Sequence, residues 1–302
     1  MVPGCGGQPA GETKNRMQLS EGFSDFTARL KRFFISSLAG PEPVFDENQF
    51  NPLTLELFSL QFAGNAPYRA WCKALRVSPD TVDSWAGIPA LPVAAFKEME
   101  VTCIPEPERT HKFLSSGTSG LPRGRSIPEL DQRHEADSIS LEANRSRHYH
   151  SERSIELYAS ACWPWFARHL LTQPVFEQAG RGSLLCLTPG PVAAPNSSLV
   201  HMFEVVRRSV NAPANVFAGS VEQDGSWGLD MPVVFGGLES AVQEGRAVCL
   251  LGTAFSFVHL LDWMKKAGVR LTLPPGSRIM EMGGYKGKPR VLTRVELHGG
   301  LV

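Results

Sequence analysis

The run Ala247-Val248-Cys249-Leu250-Leu251 ends at Gly252, and residues 255–267 (FSFVHLLDWMKKA) follow it with apolar positions three and four apart. A short uncharged apolar run bounded by glycine is the mark of a strand covered on both faces. The amphipathic stretch, closed by Gly268 at the C′ position, is that of a helix. Leu184-Leu185-Cys186-Leu187 before Thr188-Pro189-Gly190 repeats the strand signal. Strands alternating with helices from about residue 110 onward predict an α/β layer around a largely parallel sheet. The preceding part reads as helical. Phe23, Phe26, Leu30, Phe33 and Phe34 stand at helical spacing within 20–36. Asn51 as N-cap, with Pro52 in the first turn, starts a second helix that buries Leu53, Leu57 and Leu60. A partner helix over 67–76 follows the Gly64-Asn65 turn, and Pro89 and Pro92 then interrupt the chain. The expected fold is α/β, a helical N-terminal portion followed by alternating strands and helices.

The 302 residues carry 30 basic and 30 acidic side chains, so nothing in the bulk charge favours duplex nucleic acid or an anionic membrane as partner. No run approaches the roughly 18 apolar residues of a membrane span. Residues 1–16, rich in Gly and Pro and without an apolar core, read as a flexible leader rather than a secretory signal, with Met17 as an alternative start. The six cysteines are scattered and form no CxxC pair, which fits reduced thiols of a cytoplasmic protein. His148 and His150 alternate and can share a strand face, but no carboxylate or cysteine completes a metal set by spacing.

The chemistry concentrates in 113–125, Phe-Leu-Ser-Ser-Gly-Thr-Ser-Gly-Leu-Pro-Arg-Gly-Arg. Gly117 and Gly120 let the backbone turn sharply and bring its N–H groups against an anion. Ser115, Ser116, Thr118 and Ser119 add hydroxyl donors, and Arg123 and Arg125 add positive charge. The stretch meets neither the Walker A spacing nor the G-x-G-x-x-G of dinucleotide folds. Its residues alone therefore leave two readings open, a polyphosphate cradle and a polar surface loop.

Ser115-Ser116-Gly117-Thr118-Ser119-Gly120-Leu121-Pro122-Arg123-Gly124 resembles the phosphate loop of adenylate-forming enzymes, with Arg123 where that group has lysine. The closer resemblance is to the acyl-protein synthetases of bacterial bioluminescence-type fatty-acid reductase systems. It rests also on Gln61-Phe62 with Asn65 and Tyr68-Arg69, and on Ile88 through Lys97. Leu187-Thr188-Pro189, Ser197 through Met202, and Met282-Gly283-Gly284-Tyr285-Lys286-Gly287 complete it. The resemblance implies the large domain of the adenylate-forming fold over 17–302. It implies ATP and Mg²⁺ as cofactors, a fatty acid or other carboxylate as substrate, and an acyl-accepting protein or reductase as partner. It also implies nucleotide contacts from Ser115 to Gly120, Arg123, Gly283, Gly284 and Tyr285, with Lys286 and His201 in catalysis.

The resembled family continues past the Gly-Gly-aromatic-Lys turn to a Thr-Glu motif, a small C-terminal domain and an acyl-accepting cysteine, none of which is found before Val302. The expectation is a large domain without its small partner, its Val269, Leu271 and Leu273 forming an uncovered strand. A second reading is a non-catalytic or split subunit that binds nucleotide or acyl ligand. Outside the resemblance, Lys286 reads as a solvated turn residue rather than a contact to nucleotide or carboxylate, and His201 as a core histidine or as a residue facing an acyl pocket. Trp163-Pro164-Trp165-Phe166 reads as core or as the lining of an acyl tunnel.

Overall fold

Seven consecutive residues from Ala247 form one strand, Ala247–Leu251 paired on one side and Cys249–Thr253 on the other, and six of the seven are buried. In the computed structural model, which describes residues 10–37, 46–115, 145–171, 182–210, 215–283, 285 and 291–301, this strand is the centre of a parallel sheet. In chain order the strands are β1 (His111–Leu114), β2 (Arg147–His150), β3 (Gly182–Cys186) and β4 (Val216–Phe217). They continue with β5 (Gly219–Val221), β6 (Trp227–Leu229), β7 (Ala247–Thr253) and β8 (Arg278–Met282). The helices are α1 (Ala10–Ser37), α2 (Glu47–Gly64), α3 (Ala66–Ala74), α4 (Ala95–Glu98) and α5 (Glu152–Leu170). They end with α6 (Ser198–Ser209), α7 (Met231–Gln243), α8 (Ala254–Ala267) and α9 (Arg294–Leu301). The described residues divide into two compact units, one up to Ser115 with Arg145–Ala161, the other from Cys162 onward.

In the second unit the strand order is β4-β3-β7-β8, all parallel, with Leu184 opposite Cys249 and Leu185 opposite Leu250. Because side chains alternate along a strand, each central strand feeds two cores. Leu185, Val248 and Leu250 pack with Val234 and Leu238 of α7 and Phe257 of α8. Leu184, Cys249 and Leu251 pack on the opposite face with Phe203 and Val206 of α6 and Phe166 of α5. Each such side chain, fully buried, contributes about 1.5–3 kcal/mol. The covering helices are capped locally: the side chains of Ser197, Asp230 and Thr253 accept from the amides of Val200, Val233 and Ser256. Gly268 closes α8 in the left-handed region at φ 66°, as its sequence position predicts.

The first unit is helical with one two-stranded antiparallel ladder, β1 against β2. Phe58 of α2 lies edge-on to Phe62 and Tyr68 at 6.1 Å each. Two expectations change here. The N-cap of α2 is Asp46, whose carboxylate accepts from the Asn48 amide, and Pro52 falls in the second turn. Asn51 lies inside the helix and instead uses its side chain on Trp85 N (2.7 Å) and Asp83 O (3.0 Å). The fully buried residue of α2 is Phe58, with Leu53, Leu57 and Leu60 half-buried. In the second unit, Val269, Leu271 and Leu273 form no strand; they are half-buried coil packed on the core beneath β7 and β8.

Candidate functional site

A cavity of about 1040 Å³ opens within the first unit. Its wall comes from α1, α2, α3, the 85–105 segment, the end of β2 and the first turn of α5. Phe23, Phe26, Leu57, Phe58, Ile88 and Phe96 give it an aromatic and aliphatic character. Two of the segments that carry the resemblance, Gln61 to Arg69 and Ile88 to Lys97, bring Gln61, Asn65, Tyr68, Pro89, Leu91 and Phe96 onto this one surface.

The polar groups of the wall bond among themselves. Cys103 Sγ donates to Gln61 Oε1 at 2.9 Å, and burial pushes this thiol up to about 12, so it is protonated at neutral pH. Tyr68 Oη donates to Pro89 O at 2.9 Å, and Asn65 Oδ1 accepts from Tyr68 N. Arg109 holds the wall segment in place: its Nε donates to Ile104 O at 2.9 Å and its guanidinium pairs with Glu100. The same guanidinium lies 4.7 Å from the centre of the Tyr149 ring. Cys103 gives no signal in the sequence, because its partner lies on a different element.

Of the phosphate-loop residues, Ser115 lies among the described residues; Ser116, Gly117, Thr118, Ser119, Gly120 and Arg123 lie outside them. Ser115 is the root of the loop. Its amide donates to Ser146 O at 3.0 Å, its hydroxyl accepts from Ser146 N at 2.9 Å, and its carbonyl accepts from Arg145 Nε at 2.6 Å. The ladder thus fixes the position and direction in which the chain leaves β1.

In the second unit the C-terminal edge of the parallel sheet gathers the other marked residues. Ligands of open α/β sheets bind at such an edge. Thr188 follows β3, Gly219 follows β4, and Gly283 and Tyr285 follow β8; Gly284 and Lys286 lie outside the described residues. Gly219 is required there, since a Cβ would lie 2.2 Å from the Thr188 carbonyl carbon and 2.5 Å from Pro189 N. Thr188 Oγ1 and Tyr285 Oη are buried and make no hydrogen bond among the described residues. Buried hydroxyls in that condition cost about 1–3 kcal/mol each, which a bound polar ligand can recover.

The remaining marked residues stand elsewhere. His201 lies half-buried on α6 and does not line the cavity. Phe166 and Trp163 pack in the core of the second unit, while Trp165 is exposed and edge-on to His169, so the tunnel reading of that stretch is not met. His148 stacks on Phe96 at 4.7 Å and His150 lies 5.1 Å from Phe113. Among the described residues no three His, Cys, Asp or Glu side chains are grouped to hold a metal ion, and no helix is long and apolar enough to cross a membrane.

Fold and cavity define an α/β protein whose helical unit encloses an apolar chamber. Residues 42–157 match the family model described as acyl-protein synthetase, LuxE, the family that the sequence motifs resemble. No curated protein and no solved structure gives a significant match. The matched segment contains the whole cavity lining except Phe23, Phe26 and Thr27 of α1, and it contains the loop rooted at Ser115.

Proposed function

We propose that the protein activates a fatty acid with ATP and passes the acyl group to a protein thiol. The observation that carries this reading is the acyl-protein synthetase match over 42–157, which spans both the loop 115–125 and the apolar cavity. In the first step a carboxylate oxygen attacks the α-phosphorus of ATP, the bond to the bridging oxygen breaks, and acyl-adenylate and pyrophosphate result. In the second, a thiolate sulfur attacks the acyl carbonyl carbon and AMP leaves with the bonding pair. The residues' task is to hold the phosphates and offset the charge that develops on them.

The backbone N–H groups between Ser116 and Gly120, the hydroxyls of Thr118 and Ser119, and Arg123 are assigned to the phosphates, with Ser115 as anchor. Thr188 and Tyr285, each with a buried hydroxyl that has no partner among the described residues, are assigned to the nucleotide beside Gly283 and Gly284. Lys286 is assigned to the nucleotide at the reacting phosphate and His201 to a supporting role. Mg²⁺ would screen the phosphate charge when bound; the described side chains offer no cluster for it, so no step is given to it. Cys103 is not the acyl acceptor in this reading, because its protonated thiol is a poor nucleophile.

Exchange of labelled pyrophosphate into ATP, driven by carboxylic acids of eight to eighteen carbons, tests the proposal on the full chain. Exchange with long-chain acids is expected. Absence of exchange with every carboxylate would remove the activation step.

A further inference from the structure

We infer that the cavity of the first unit is the binding site for one unbranched alkyl chain of a carboxylic acid, with the tail along Leu57, Phe58 and Ile88 and the head beside Arg153. This rests on the acyl-activation reading and adds where the chain sits and which residues set its length.

About 1040 Å³ of half-open cleft lies over Phe23, Phe26, Leu57, Phe58, Ile88 and Phe96, an apolar surface that an apolar occupant would cover. Small-molecule sites span roughly 300–1,000 Å³, which leaves ample room for a long chain. The nature of the occupant follows from the wall's hydrogen bonds. The Cys103 thiol is spent on Gln61, the Tyr68 hydroxyl on Pro89, and the Ser154 hydroxyl on Ser151 and His150. A sugar, base or peptide would bring many donors and acceptors against a wall where these three groups are already bonded and most of the surface is apolar. Each one left unpaired costs about 1–3 kcal/mol. An alkyl chain has none to leave.

The head group is argued from the mouth. Trp85, Ala86, Ala90, Glu108 and Arg153 line the cavity and are exposed, so its rim runs through them. Arg153 stands in the first turn of α5, beside Glu152. Of the two charged residues at the rim, Arg153 is the one that can pair with a carboxylate head, and the apolar wall behind it suits an alkyl tail.

The experiment uses the full chain without ATP and cis-parinaric acid as a fluorescent fatty-acid probe. Probe fluorescence should rise on binding and fall when myristate competes, while phosphatidylcholine vesicles should not compete. Competition by vesicles and not by myristate would move the site to membrane lipids and overturn the inference. Leu57→Trp, which fills the chamber, should weaken probe binding at least tenfold while octanoate competition is retained. A readout that needs no variant is alkylation of Cys103 by N-ethylmaleimide at pH 9, followed by peptide mass spectrometry, which bound myristate should slow at least fivefold. No probe binding and no protection of Cys103 would overturn the site. Pyrophosphate exchange in a protein whose probe affinity ignores Leu57→Trp would overturn the site and leave the activation reading standing. Probe binding lost in Leu57→Trp, with no exchange by any acid, would do the reverse.

Discussion

The Cys103 thiol donates to the side-chain oxygen of Gln61 at 2.9 Å, joining the 100–105 wall segment to α2 across 42 positions of sequence. Burial raises this thiol from its ordinary value of 9.0 to about 12. Below that value the thiol is neutral, and its reactivity falls with its thiolate fraction. In the native protein at pH 8, Cys103 should react with iodoacetamide roughly a thousandfold more slowly than in the urea-unfolded chain, following the three-unit shift. Peptide mass spectrometry of timed samples reads the ratio; equal rates would place the thiol in open solvent.

Tyr285 separates ligand chemistry from stability. Its hydroxyl is buried with no partner among the described residues, so Tyr285→Phe should leave thermal stability unchanged or raise it by up to about 1 kcal/mol. If nucleotide supplies the missing partner, the same change should weaken ATP binding about tenfold by calorimetry. Unchanged ATP affinity would detach this hydroxyl from the nucleotide.

Gly117 addresses the loop itself. A Cβ at a glycine that lets the backbone approach phosphate blocks the ligand and leaves the sheet intact. Gly117→Val should lose ATP binding with its far-ultraviolet circular dichroism unaltered. Retained affinity would make the loop a surface turn.

Arg76 has φ 60°, in the left-handed region, just after α3. Its amide bonds to Lys73 O and the Val77 amide to Cys72 O, so the turn is closed by backbone alone. A side chain in that conformation costs about 1 kcal/mol relative to glycine. Arg76→Gly should raise stability by roughly 0.5–1 kcal/mol in urea titration; a loss would mean that the arginine side chain supports the turn.

Glu204 on α6 is nearly buried and bonds both Arg207 (2.6 Å) and Arg208 (2.6 Å). The Arg207 hydrogen bond, with Arg208 also contributing, holds its carboxyl below the ordinary range against the opposing effect of burial. The lowered folded value means that the stabilisation is present above the unfolded value of about 4.3 and fades as pH falls through the folded one. Glu204→Gln should cost on the order of 1 kcal/mol at pH 7, reduced by solvent around the arginines. The wild type and variant should converge in urea midpoint as pH falls through the lowered folded value; a gap independent of pH would point to packing instead.

The parallel sheet was legible because β3 and β7 are buried on both faces, and their apolar runs need no partner to be noticed. The ladder of β1 and β2 was not, since His-Lys-Phe-Leu and Arg-His-Tyr-His carry no apolar alternation. Asn51 is a good cap residue followed by proline, but Trp85 and Asp83 claim its side chain from far along the chain and Asp46 caps the helix earlier. Val269, Leu271 and Leu273 alternate like a strand, yet β8 starts only at Arg278 and they fill the core as coil. The loop at 115–125 was recognisable from local composition. The cavity was not, because its wall gathers residues from α1 through α5, the end of β2 and the segments that join them.

The arrangement of strands also sets an order of assembly during synthesis. Every described residue of the helical unit is present once Ala161 has been made. The strand β3 lies between β4 and β7, and its partner on the second side, residues 247–251, is synthesised much later. Contacts so distant in sequence form slowly, and compact regions nearer the N-terminus fold first on the ribosome. The helical unit can therefore close around its cavity while β3, apolar on both faces, still waits for the longer of its two ladders, five paired residues against two. That interval is when this chain is most prone to aggregate, and the hazard ends when Ala247–Thr253 arrives to cover the exposed edge.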